Sequence, residues 1–306
     1  MITPRIGAVP LSRTALPLVA ALLALAAVGW LVTGDRMAGM DAGPGTDPGA
    51  LGFFLTTWVV MMGAMMFPSA APMVVAYDRI RAHRRELGKP AAPAGTALFV
   101  GGYLLSWAAF GLAGWALYQA AQGLSIDALA WDQGGPYLAG GVILLAAVYE
   151  LTPLKHACLR KCRSPLTFLF GGWRDGSLGA LRLGVEHGAW CVGCCWALMA
   201  ALFALGVMSI AWMAFVAALI AAEKLLPWGR SASLSIAVLL AVLGVSVALV
   251  PDRVPGLVLP DSAQARDASV MMRDGEMREG MKRDSMRGTQ PGTKRDSMDR
   301  MQPGAP

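Results

Sequence analysis

The chain has 306 residues, of which 56% are hydrophobic and only 15% charged, with a mean hydropathy of +0.52. A soluble domain carries charge at about a quarter of its positions, and here the apolar residues gather in long runs, so an ordinary soluble globule is excluded and a membrane-embedded chain is indicated. The net charge of +6 fits basic loops on one side of a bilayer and does not point to nucleic acid.

Helical spans are predicted over residues 15–33, 51–70, 97–121, 136–152, 188–206, 210–226 and 232–250. A hydrocarbon core of about 30 Å takes roughly 20 apolar residues in a helix, which gives an all-α, polytopic bundle of about seven spans. The first run follows Arg5 and Arg13, but at 19 residues it exceeds a signal-peptide core and lacks a small-x-small site, so it reads as an uncleaved helix. Small residues at Gly101, Gly102, Gly111 and Gly114 are predicted to mark close helix approaches.

Basic residues set the orientation. The loop 78–95 holds Arg79, Arg81, Arg84, Arg85 and Lys89, and the loop 152–187 holds Lys155, Arg160, Lys161, Arg163, Arg174 and Arg182. The segment 34–50 has Arg36 alone and 122–135 has no basic residue. This alternation places the N-terminus and both basic loops in the cytoplasm and the C-terminal tail outside, across a bacterial inner membrane.

In the second span Met61, Met62, Met65 and Met66 precede Pro68. Residues four apart share a helix face, so Met61 stacks over Met65 and Met62 over Met66. Pro68 is predicted to kink the helix. Two readings apply: adaptable packing, or a thioether ladder for a soft cation.

The cysteines and histidines cluster. His156, Cys158 and Cys162 form one group; His187, Cys191, Cys194 and Cys195 form another. In a helix Cys158 and Cys162 share a face, and the second group makes one continuous stripe. All five cysteines and two of the three histidines lie within 40 residues, at the cytoplasmic face, where thiols stay reduced. Thiolate and imidazole suit Cu(I), zinc or another soft metal, or an iron–sulfur centre. Lys155, Arg160, Lys161 and Arg163 are placed to favour the thiolate, Glu186 to orient His187, and Glu223 and Lys224 either to pair with each other or to snorkel to the interface. Buried cysteine as a small hydrophobe accounts for single thiols and poorly for two His-anchored groups.

Residues 1–250 read as the transmembrane domain and 251–306 as a disordered tail. The tail has ten basic and nine acidic residues and little apolar bulk except methionine, too little to bury a core. Lys282-Arg283-Asp284-Ser285-Met286 recurs as Lys294-Arg295-Asp296-Ser297-Met298. Met271, Met272, Met277, Met281, Met286, Met298 and Met301, with Met37 and Met40 in the other external segment, read either as a soft-metal-collecting arm or as methionines multiplied by repeat duplication.

Several stretches together resemble the bacterial family described as predicted metal-binding integral membrane proteins, a domain of unknown function sometimes labelled copper chaperone. They are Trp58 to Met73, Tyr149 to Lys155 with Cys158 and Cys162, His187-Gly188, Cys191 to Trp196, Met199, Gly206, Met208, Trp212-Met213 and Glu223-Lys224. Met208-Ser209 stands where the family pattern has Met-Asn. The resemblance covers roughly residues 50–250 and implies metal association, not a mechanism.

Three functions follow as expectations. The first is non-enzymatic handling of a soft metal ion, most simply Cu(I), with the bilayer, the metal and a metal-accepting protein as partners. There is no G-x-x-x-x-G-K-[ST] loop and no phosphorylatable Asp-Lys-Thr-Gly, so an ATP-driven pump is not indicated. The second is a membrane thiol–disulfide oxidoreductase using Cys191 and Cys194. The third is a non-catalytic assembly or scaffold subunit.

Overall fold

The computed structural model describes residues 15–39, 41, 43, 49–90, 92–123, 134–226, 229–259, 262–263, 265–268, 270, 277 and 281. Among these the chain is all-helical. The helices are α1 (Ala15–Met37), α2 (Leu51–Glu86), α3 (Gly95–Gly123), α4 (Gly135–Glu150), α5 (Pro153–Arg163), α6 (Pro165–Gly172), α7 (Gly176–Leu205), α8 (Ile210–Leu225) and α9 (Gly229–Leu249).

Five of them, α1, α2, α3, α7 and α9, are long and apolar enough to cross a membrane. The count becomes six if α4 and α5, bent by 67° at their junction, form one broken span. Among the described residues the expected seven is therefore not reached. The 16-residue α8 is only about 24 Å long, short of a hydrocarbon core of about 30 Å.

The predicted loops also change. The basic segment after residue 78 continues α2 to Glu86, and α7 begins at Gly176, twelve residues before the predicted span. Polar residues do not end a helix by themselves, and basic side chains at the α2 C-terminus complement its dipole. There Arg84 Nη2 donates to both carboxylate oxygens of Asp175, at 2.7 and 2.9 Å, and joins α2 to the start of α7. The Trp173 indole, which also donates to Asp175, and then Arg84 hold that carboxyl below its ordinary value of 3.8.

The two longest helices form the centre. In the apolar stretch of α2 67% of residues are buried, and in that of α7 56%, against 22% in α1. Close packing rests on small residues, as in lipid it must. A methyl group on Gly102 would lie 2.9 Å from Val185 N, and one on Gly188 would lie 2.7 Å from Ser106 Cβ. These positions rise together, so α3 and α7 run parallel. Gly140 faces Ala248 and Leu144 faces Gly244, which makes α4 and α9 antiparallel. Gly111 meets the Trp58 ring, whereas Gly101 and Gly114 have nothing within 4 Å, so two of the four predicted small-residue contacts exist. The α2 helix runs unbroken through Pro68 and Pro72.

Candidate metal centre

The centre forms where short helices end beside long ones. Cys191, Cys194 and Cys195 lie midway along the 30-residue α7, with all three thiol sulfurs within 4.8 Å of one another. The i, i+3, i+4 spacing puts them on one helix face, and each is at most 2% exposed. The predicted position at the cytoplasmic end of a span is thus replaced by one about halfway along the helix, because α7 starts earlier.

A fourth sulfur comes from α5. Thr152 caps that helix by accepting from Lys155 N, and Pro153 stands in its first turn. Cys162 Sγ then reaches Cys194 Sγ at 3.9 Å. Cys158, on the same α5 face, packs on Gly193, where a methyl group would lie 2.9 Å from Cys158 Sγ. All five cysteines are free thiols.

Two polar groups converge on Cys191. Lys224 Nζ, at the end of α8, lies 2.9 Å from Cys191 Sγ and 4.0 Å from Met66 Sδ. The Tyr103 hydroxyl on α3 lies 3.1 Å from the same sulfur. An ammonium there supplies the positive charge that a buried thiolate ligand requires. Cys194 and Cys195 both donate to the Cys191 carbonyl, at 3.1 and 2.9 Å. Soft, anionic-capable sulfur with a fixed cation beside it is a donor set for a soft ion of low charge.

Beside this group is a second buried polar set. Lys155 Nζ donates to Glu150 Oε2 and to Glu223 Oε1 and Oε2, the latter at 2.8 and 2.7 Å, and Ser233 donates to Glu223 at 3.2 Å. Lys155, Glu150 and Glu223 are at most 3% exposed. They knit the α4–α5 bend to α8 and α9. This corrects the expected roles of the basic residues. Lys155 answers carboxylates, Arg163 donates to the Leu226 carbonyl at 2.6 Å, and Lys161 lies over the Trp190 ring. The cation at the thiols is Lys224, and Glu223 pairs with Lys155 rather than with its neighbour.

No histidine joins the group of three thiols whose sulfurs lie within 4.8 Å of one another. His187 is buried among the rings of Phe99, Tyr103 and Phe168, and its Nδ1 has no hydrogen-bond partner among the described residues. Glu186 pairs with Arg174 at 2.9 Å and does not orient His187. His156 is half-buried on α5 and makes no hydrogen bond to the thiols among the described residues.

Of the methionines, Met61, Met62, Met65 and Met66 are all buried within α2, and Met37 is buried at the end of α1. Met277 and Met281 are 56% and 65% exposed. Met40, Met271, Met272, Met286, Met298 and Met301 lie outside the described residues. Tyr103 and Lys224 were not read as site residues from sequence. The signal was available in Lys224, a charge at the end of an apolar helix.

An all-helical bundle of membrane-crossing length around a buried thiol group defines the class: an integral-membrane type of protein equipped to handle metal. A family model described as copper chaperone matches residues 55–247, and the chain belongs to that family. No curated protein and no solved structure matches the chain.

Proposed function

We propose that this protein binds and passes on Cu(I) at Cys191, Cys194 and Cys195, with Cys162 and Cys158 as the α5 side of the site. The observation that carries the reading is the convergence of three buried thiols with the Lys224 ammonium. Cu(I) favours thiolate ligands; two thiolates around it leave one net negative charge, which Lys224 offsets. Zinc would bring a second positive charge and fits this balance less well. The role is non-enzymatic. Met61, Met62, Met65 and Met66 carry the ion along α2 toward Lys224, and the tail methionines with Met37 and Met40 collect it. The tail is an external arm whose first part, at Val254, Ala265 and Ala268, is buried, the N-terminus is cytoplasmic and the membrane is the bacterial inner one. A metal-accepting protein is the partner.

The test is an anaerobic Cu(I) titration against a competing chromophoric chelator. Three forms are compared: the full chain, the chain with all five cysteines changed to serine, and the chain cut after Pro260. Tight binding is lost in the serine form and retained in the shortened one, which loses only weaker sites. Equal binding by all three contradicts the reading. The Cys162–Cys194 sulfur separation of 3.9 Å also favours a second reading, thiol–disulfide exchange. Counting free thiols after mild oxidation separates the two, since exchange requires a reversible loss of two thiols.

A further inference from the structure

At the other end of the bundle from the Arg84–Asp175 pair lies a small recess of about 10 Å³, lined by Met37, Met61, Met208, Trp58, Phe54 and Thr57 among others. That volume holds about one water-sized particle. Its three methionines come from three places: the last residue of α1, the first third of α2, and the turn joining α7 to α8. All three are nearly closed off, at 4%, 1% and 4% exposure. No oxygen or nitrogen is exposed to the space. The Trp58 indole donates outward to the Trp107 carbonyl at 2.9 Å, and the Thr57 hydroxyl accepts from Arg36 at 3.4 Å.

A recess of this kind offers nothing to water or to a hard cation, each of which requires oxygen or nitrogen partners. It offers three thioethers, which are neutral, soft and indifferent to protonation. Methionine is flexible enough to fill gaps of this size, and here three methionines border an open recess. We infer that Met37, Met61 and Met208 form a three-thioether site for a monovalent soft cation, separate from the thiol centre. Met208 is the residue that completes it. The site deepens the metal-handling reading and rests on it. Met61 is five residues from Met66, a rise of about 7.5 Å along α2, and Met66 approaches Lys224 at the thiol centre. The thioether site is thus the entry end of a short path whose far end is Cys191. Neutral ligands hold a monovalent ion more weakly than thiolates do, which sets the direction of transfer.

Ag(I), a monovalent soft ion with no redox chemistry here, is the probe. The full chain is labelled with methyl-carbon-13 methionine and titrated with Ag(I), with signals assigned by single Met→Leu changes. The Met37, Met61 and Met208 methyl signals shift together, with one common midpoint. Met37→Leu, Met61→Leu and Met208→Leu combined lose one bound Ag(I) per chain. The site is overturned if those three signals stay fixed while tail methionine signals move, or if they move with unrelated midpoints. Three fixed signals in a chain whose thiols bind Ag(I) sink this inference and leave the thiol reading. Three moving signals in a chain whose thiols bind none do the reverse.

Discussion

Two lysines, the buried Lys155 and the half-buried Lys224, have opposite surroundings. Lys155 is answered by two carboxylates, Glu150 and Glu223, with Ser233 behind them. Lys224 is answered by a thiol sulfur at 2.9 Å, with a phenol on the same sulfur and a thioether at 4.0 Å. A buried ammonium with full carboxylate partners is a structural lock, because removing either side leaves an uncompensated charge in a low dielectric. A half-buried ammonium with soft partners leaves those partners free to take a soft cation. Adjacent residues on one helix turn, Glu223 and Lys224, serve the lock and the metal centre respectively.

Breaking the lock should have the largest effect. Lys155→Met leaves Glu150 and Glu223 facing each other, and the thermal stability of the detergent-solubilised chain should fall by about 3–5 kcal/mol. Adding Glu150→Gln and Glu223→Gln should recover a good part of that loss, which a simple packing role for Lys155 would not allow. Next comes the centre itself. Cys191→Ser with Cys194→Ser should weaken Cu(I) binding by more than about 100-fold, the upper range for loss of a merely supporting group, with little change in unfolding temperature. Lys224→Met removes the supporting cation and keeps every sulfur, so Cu(I) affinity should drop by about 10–100-fold. Equal stability losses at Lys155 and Lys224, with no affinity loss at the latter, would erase the contrast between them.

Smaller effects sharpen the comparison with the surface. Trp58→Phe deletes the donor to the Trp107 carbonyl and should cost about 1 kcal/mol. Asp175→Asn acts on an exposed pair and should cost less than about 1 kcal/mol, and less again at high salt. Its carboxyl is held below the ordinary 3.8 by Trp173 and then Arg84. The stabilisation is therefore present above that value and lost as the pH falls through the lowered one. An acid titration of wild type against Asp175→Asn should show the two curves converge at low pH.

Much of this was legible in the sequence. The long apolar runs announced the helices, and the His-anchored cysteine groups announced the centre. The i, i+4 spacing of Cys158 and Cys162 put both thiols on one α5 face. Helix length was less legible, because Arg79 to Glu86 and Gly176 to His187 are compatible with either a loop or a helix extended past the apolar stretch. The charge partners were not legible at all. Whether Glu223 meets Lys224 beside it or Lys155 on another helix depends on where the 67° bend at the Thr152–Pro153 break between α4 and α5 carries Lys155. The surroundings of His187 were not legible either: its place on the cysteine stripe follows from spacing, but the rings of Phe99, Tyr103 and Phe168 around it come from α3 and α6.

The most direct test of the centre is X-ray absorption at the copper edge, on the anaerobically loaded full chain and on its Cys191→Ser, Cys194→Ser form. The account predicts nearest neighbours that are sulfur alone in the native chain, and a changed or lost copper signal in the variant. Nitrogen or oxygen as the nearest neighbours, or a spectrum identical in the two forms, would contradict it.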